Sequence, residues 1–283
     1  MAELTPTLLI LGASTRAAAF SAMRASLSPR CIDHFADLDL CSSCPVEHVP
    51  FDEGASGLLK QASRGKTGPW LYTGPLENHP QAIEALSKTN PLLGNSSDVL
   101  KRVRDPLAVS SVLARHGLSH PEVRMDARGL PRDGSWLVKP IASGGGRDVA
   151  RWEASSPDPG EPSYFQQFVP GLSHSAIFLA GSTAVELIGV TRQLVRTADA
   201  PYLYGGSIGP IPLSPRPGDR LRRLGEILAT SFGLKGLFGV DYIERAGDPW
   251  PVEINPRYTA SVEIHELATG RALLRDHWRA CST

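Results

Sequence analysis

The sequence predicts a mixed α/β (α+β) fold in which an open, parallel-sheet lobe precedes a larger lobe of strands and glycine turns. Three observations carry this. Residues 7–13, TLLILGA, are a continuous apolar run, as a strand covered on both faces requires. An alanine-rich helical stretch and a second apolar run follow, giving strand–helix–strand. Beyond Pro131 the pattern changes to short apolar segments punctuated by glycine. With 283 residues, 41% of them hydrophobic, the chain can bury a sizeable core across two or more lobes.

Taken in order, the first strand ends at Gly12, and STRAAAFSAMRAS reads as a helix capped by Ser14 or Thr15. RCIDHF is a second strand and ADLDL an acidic turn. GASTRA lacks the G-x-G-x-x-G spacing of a dinucleotide site, so this lobe is expected to be Rossmann-like in build and supporting in role. Trp70 to Tyr72 form another strand before a Gly-Pro turn, NHPQAIEALSKTN is a helix and PLLGN a link. In DVLKRVRDPLAVSSVLARHG the helical pattern is restarted by Pro106 and stopped by Gly117. That places a boundary near residue 100, with a Rossmann-like lobe over 1–100 and a second domain over 101–283.

In the second domain SWLVKP, SYFQQFV, SAIFLAG and TAVELIGVTRQLV are strands, and EASSPDPGEPS (153–163) is a mobile surface connection. YLYGGSIGPIP (202–212) carries too many glycines and prolines for a regular element. RPGDRLRRLGEILATSFG is an amphipathic helix with Leu221, Leu224, Ile227 and Leu228 on one stripe. LKGLFGVDYIERAGDPWPVEINP is two strands around an Ala-Gly-Asp turn, and a last helix begins near Ser261 with Gly270 as its stop.

Charge narrows the function classes. The 29 basic and 29 acidic residues cancel, so no nucleic-acid partner is expected. No run of about 18 apolar residues exists, so no membrane span is expected either. The start, MAELTPTLLILGAS, lacks a basic region and a long apolar region and reads as the first strand of a mature cytoplasmic protein. Of Cys31, Cys41, Cys44 and Cys281, the CSSC pair has metal or redox spacing, but no second pair follows it. The thiols are read as reduced and incidental.

Three segments carry chemistry. In DPWPVEINPRYTAS, strand alternation points Glu253 and Asn255 to one side and Val252 and Ile254 to the other. If the hairpin turns at Gly247, Asp241 lies opposite Glu253, about 5 Å away. Facing carboxylates suggest a cation between them, and hard oxygen ligands suit Mg²⁺ or Mn²⁺. The hairpin alone equally admits a solvated face on which each carboxylate has its own basic partner. In WLVKPIASGGGRDVARW a strand delivers Lys139 to a loop of Ser143, Gly144, Gly145 and Gly146, whose backbone can cradle phosphate, although such a stretch is more often only a turn. YFQQFVPGLSHS is a strand ending at Val169, with a polar restart.

In this order the three segments resemble the ATP-grasp superfamily, over about residues 97 to 272. VEINPRYTASVEIHELATG is similar to the biotin-carboxylase branch, and the whole chain to predicted ATP-dependent carboligases related to biotin carboxylase. The resemblance implies an ATP-grasp fold with a glycine-loop subdomain over about 120–170 and a metal-binding subdomain over about 171–283. It implies that Lys139 binds the α/β-phosphates and that Ser143 and Gly144 to Gly146 close over the β/γ-phosphates. Gln166, Gln167 and Val169 take the adenine connection and Ser173 the ribose position. Asp241, Glu253 and Asn255 hold Mg²⁺, and Arg257 stabilises charge on the transferred group. Arg192 or Gln193 is expected to contact phosphate or the acyl group, and His174 and His265 are candidate bases.

Two departures stand out. Many members carry Asp-Lys where this chain has Asp105-Pro106, leaving Lys101 or Arg104 to supply the cation, and Ser173 replaces a common glutamate. The implied activity is ATP-dependent joining of a small carboxylate to an amine through an acyl phosphate. The likeness extends to small ligases of methanopterin-linked one-carbon metabolism. Alternatives are a bicarbonate-using carboxylase component and a non-catalytic ATP-binding module. The sequence assigns no oligomeric state.

Overall fold

Leu8, Ile10 and Leu11 are fully buried, which requires strand neighbours on both edges and covering layers on both faces. The computed structural model, which describes residues 6–65, 68–159 and 162–282, supplies both. Strand β1 (Thr7–Gly12) leads through α1 (Arg16–Arg24) to β2 (Ser28–Asp33), α2 (Leu38–Ser43), β3 (Val46–His48), α3 (Gly54–Ala62), β4 (Trp70–Tyr72) and α4 (Pro80–Ser87). The four strands form a parallel sheet in the order β3-β2-β1-β4.

Thr15 occupies the cap position of α1, but its backbone N–H and hydroxyl both donate to Asp33, at the end of β2. The same carboxylate accepts from the N–H groups of Phe35 and Ala36. Asp33 thus ties the start of α1 and the turn after β2 to the end of the strand. The ADLDL turn is a correction: Asp37 begins the short helix α2, which buries Leu40 but is too brief for a periodic signal. Most of CSSC lies on α2, and Cys44 at its end meets Cys31, with the sulfurs 3.9 Å apart.

Helix α5 (Ser97–Val103) leads to α6 (Pro106–Arg115). Asp105 caps α6 by accepting from Leu107 (2.9 Å) and Ala108 (3.1 Å), with Pro106 in the first turn. The Asp-Pro pair is therefore a helix start. Next, β5 (Val123–Arg124), β6 (Asp133–Pro140), β7 (Ala150–Glu153) and β8 (Ser163–Gln167) make an antiparallel sheet ordered β5-β8-β6-β7 over Trp136, Trp152 and Phe165. Gly160 and Glu161 of the expected mobile connection lie outside the described residues.

The third sheet, ordered β11-β10-β9-β12-β13, is antiparallel: β9 (Leu172–Ala180), β10 (Val185–Thr197), β11 (Ala200–Ile208), β12 (Gly236–Arg245) and β13 (Asp248–Asn255). Strand β11 corrects the irregular reading over 202–208, whereas 209–212 form no regular element, as expected. Its glycines fall where the β10–β11 register shifts, so bulges absorb them. Helix α7 (Pro215–Phe232) buries Leu221, Leu224, Leu228 and Phe232 against one face, where Phe178 stacks on Phe238 with ring centroids 5.1 Å apart. Helices α8 (Ser261–Thr269) and α9 (Leu273–Cys281) complete the chain.

Alternation along these strands decides the rest. Ala176, Phe178 and Val240 face α7, while Ile177 and Leu237 join Leu8, Ile10, Tyr258 and Leu274 in a cluster shared with the first sheet. Helix α9 packs on both α1 and β12. Because this cluster spans both sheets, Leu274→Ala should cost about 2–5 kcal/mol. It should lower one melting transition, seen alike in far- and near-UV circular dichroism, without splitting it.

Candidate active site

The face that gives Ile177 and Leu237 to the shared core gives Ser173, Ser175 and Asp241 to a cleft farther along the same strands. At the far end of the hairpin, Ala246 (φ 53°) and Gly247 (φ 78°) form a two-residue turn with positive φ at both central positions, closed by Arg245 opposite Asp248. That turn sets the register as far as Tyr242 opposite Pro251, and a register shift between Tyr242 and Asp241 then brings Asp241 opposite Glu253. Partial burial and the charge of Glu253 push the Asp241 carboxyl above its ordinary range. Ser175, Gln193 and Asn255 hydrogen-bond it, Asn255 at 3.1 Å.

The donor set suits a hard divalent cation: two carboxylates, one of them strained by the other, with an amide bonded to Asp241. No third His, Cys, Asp or Glu joins them in a metal-holding cluster among the described residues. As oriented, Asn255 turns its NH₂ to Asp241 and its oxygen to Arg257 (3.2 Å), so the amide has to turn over to offer oxygen to a cation.

Arg257 follows the strand and is fastened by the first sheet. Its guanidinium pairs at 2.7 Å with Glu77, a fully buried side chain on the turn after β4. It lies so close over Gly74 that a Cβ there would meet it at 2.8 Å. Burial alone would raise the Glu77 carboxyl, but Arg257 holds it below its ordinary value, and Glu77, Glu253 and Asp241 hold the Arg257 charge in place. Lys139 donates to Gln166 (3.2 Å) and to the Val252 carbonyl (3.0 Å), which joins the glycine sheet to the hairpin.

In the glycine loop, Gly146 (φ 74°) sits where a Cβ would fall 1.7 Å from the Tyr202 carbonyl, and the Tyr204 N–H donates to Gly145 (2.9 Å). Of the two cations left open by the missing lysine, Arg104 reaches the cleft and contacts Glu253 at 3.3 Å. Lys101 is on the surface near Asp98 and Glu84.

These residues surround one cleft of about 920 Å³, and every residue expected to hold the nucleotide, the metal or the transferred group borders it. Gln166 is buried beside Lys139, whereas Gln167 is exposed and accepts from the Glu122 N–H. Ser173 donates to Gln193 at 2.6 Å, so the pair sits in the row of Asp241. Arg192, exposed, lies in register with His174 on the alternate row, with no ion pair among the described residues. His174 stacks on Tyr242 on the opposite face, and His265 is buried under Gly189; neither borders the cleft. Arg104, Lys139, Arg151, Arg192 and Arg257 face only Asp241 and Glu253 there, a balance that favours a polyanion. Sequence reasoning missed Glu77 and Asn78. Their signal was their place after a parallel strand's carboxyl end, where ligands of such sheets gather.

The residues from 103 to 261 match the model of the ATP-grasp domain family, more than half the chain, and the protein belongs to that family. It is 27% identical over 208 residues to the carbamoyl phosphate synthase large chain of Myxococcus xanthus, across 65% of this chain and 19% of that one. It is 30% identical over 112 residues to an uncharacterized protein of Methanocaldococcus jannaschii, across 40% of this chain. The chain thus spans only 19% and 26% of these curated relatives. Among solved structures, Campylobacter jejuni biotin carboxylase superposes with a TM-score of 0.73 at 16% identity, over 96% of this chain and 70% of that one. A Bacillus licheniformis L-amino acid ligase gives 0.71 at 17%, over 97% and 74%. The protein has the ATP-grasp fold.

Two electrostatic consequences are measurable. Glu77→Gln leaves the Arg257 charge buried and unpaired, so it should destabilise by about 3–5 kcal/mol at pH 7. Because the native Glu77 value is depressed, the wild-type advantage should persist above the ordinary value of 4.5 and close as pH falls below it, in melts across that range. Asp241 has the opposite sign: its raised carboxyl favours the protonated native form, so its charge opposes folding at neutral pH. Asp241→Asn in chelator-treated buffer at pH 7.5 should melt about 2–4 °C above wild type, the shift that ~1 kcal/mol produces in a chain of this size. The gap should shrink on acidification.

Proposed function

We propose that the protein is an ADP-forming, ATP-dependent ligase that joins a small-molecule carboxylate to an amine. The observation that carries this is the Asp241–Glu253 pair facing a cleft lined by five cationic side chains. Lys139 and the loop of Ser143, Gly144, Gly145 and Gly146 hold the phosphates, Gln166, Gln167 and Val169 border the adenine, and Ser173 borders the ribose. Asp241, Glu253 and Asn255, its amide turned over, would hold Mg²⁺ or Mn²⁺, which supplies charge neutralisation at the β- and γ-phosphates.

A carboxylate oxygen takes the γ-phosphoryl group and ADP leaves; the amine nitrogen then attacks the acyl carbon, the C–N bond forms, and phosphate and the amine proton depart. Such chemistry rests on positioning and charge, with no protein nucleophile. Arg257, steadied by Glu77, stabilises the transferred charge, and Arg192 on the rim meets the acceptor. The 1–100 lobe and the 101–283 domain act as one cytoplasmic enzyme. A place in methanopterin-linked metabolism has no support in the cleft's residues or in the comparisons, so the proposal stops at the reaction class.

ADP release should appear with Mg-ATP and a pool of amino acids and amines. It should fall about a hundredfold or more in Glu253→Gln, because metal-assisted charge stabilisation is worth several kcal/mol. Release that depends on bicarbonate instead would make the protein a carboxylase. Unchanged release in the variant would remove Glu253 from the metal site.

A further inference from the structure

The guanidinium of Arg104 bonds to three parts of the protein at once. Its NH1 donates to Glu253 of the metal hairpin at 3.3 Å. Its NH2 is shared among Asn78 of the first sheet's β4 turn and the carbonyls of Ile141 (3.2 Å) and Ser143 (3.1 Å), on the ascending stem of the glycine loop. Asn78 also donates to the Ser143 carbonyl at 3.4 Å. The Arg104 side chain is only 14% exposed, so these bonds are made with water largely excluded. The loop's descending side has its own anchor, the Tyr204 N–H on Gly145.

From this geometry we propose that Arg104 and Asn78 form a clasp that holds the glycine loop down over the nucleotide-phosphate site, with Arg104 acting as a positioning residue. Loop and metal face are then coupled through one side chain: the cation that ties down Ser143 is the one that balances Glu253. The first sheet contributes to nucleotide retention through Asn78, with no contact to the nucleotide itself. A planar fork of donors is needed to span Glu253, Asn78 and two carbonyls, and a lysine ammonium cannot reproduce it. The nucleotide part of this inference rests on the ligase proposal; the loop part does not.

The test is limited trypsin digestion of the full chain, read by mass spectrometry as the cleavage rate after Arg147, exposed within the loop, relative to that after Arg128, 90% exposed in a distant turn. Global loosening raises both rates, so their ratio reports the loop. Arg104→Ala should raise the ratio about tenfold, and Asn78→Ala, which removes no charge, about threefold, as expected for losing a few hydrogen bonds that close a loop. Arg104→Lys should raise it as Arg104→Ala does. In calorimetry with Mg-ADP, Arg104→Ala should bind about tenfold more weakly and Arg104→Lys should fall between it and wild type. Wild-type ratios in Asn78→Ala and Arg104→Lys would overturn the clasp and leave Arg104 a plain phosphate-facing charge. Failure of the wild-type protein itself to bind Mg-ADP would overturn the ligase proposal, while the digestion ratios would still decide the clasp.

Discussion

Two carboxylates held opposite each other on neighbouring strands are the constraint around which the rest is arranged. Asp241 and Glu253 are set opposite each other by the two-residue turn at Ala246 and Gly247 together with a register shift between Asp241 and Tyr242, and cannot move apart without breaking that register. The cost appears as the raised Asp241 carboxyl. The protein distributes counter-charge about the pair without cancelling it. Arg104 touches Glu253, Arg257 bonds Asn255, and Glu77 in turn holds Arg257. An arrangement that merely neutralised the pair would have placed a cation between the carboxylates.

The same economy explains why the first sheet is integral. It lacks a dinucleotide fingerprint, and Asp33 at the end of its second strand is taken up by Thr15 and the following turn. Its contribution comes through one turn after β4, where Glu77 and Asn78 are consecutive and hold one arginine each. The shared cluster of Leu8, Ile10, Ile177, Leu237 and Leu274 gives that turn a fixed position relative to the hairpin. Precision within a fraction of an ångström at a charged site requires such a rigid base.

Legibility followed the range of the interactions. Strand β1, helix α7 and the β12–β13 hairpin were readable because an apolar run, a 3.6-residue stripe and a turn pair are local signals. The pairing of Asp241 with Glu253 was read from a turn centred on Gly247; the structure reaches the same pair through a two-residue turn at Ala246 and Gly247 and a register shift next to Asp241, which no local pattern showed. Helix α2 was too short to show a period. Strand β11 was hidden by glycines that prove to be bulges, and those bulges bring Tyr202 and Tyr204 against the glycine loop.

By itself the sequence determined the α/β class, the carboxylate pair with its amide and arginine, the lysine strand and the glycine loop, because each depends on residues a few positions apart or across one turn. Only the tertiary structure decided that Arg104 and not Lys101 enters the cleft, that Gln193 lies in the row of Asp241 while Arg192 lies on the alternate one, and that Glu77 and Asn78 belong to the site. The physical reason is that helical phase, strand bulges and a shared core between sheets determine where these side chains point. Those quantities arise from packing among distant segments, which no local pattern encodes.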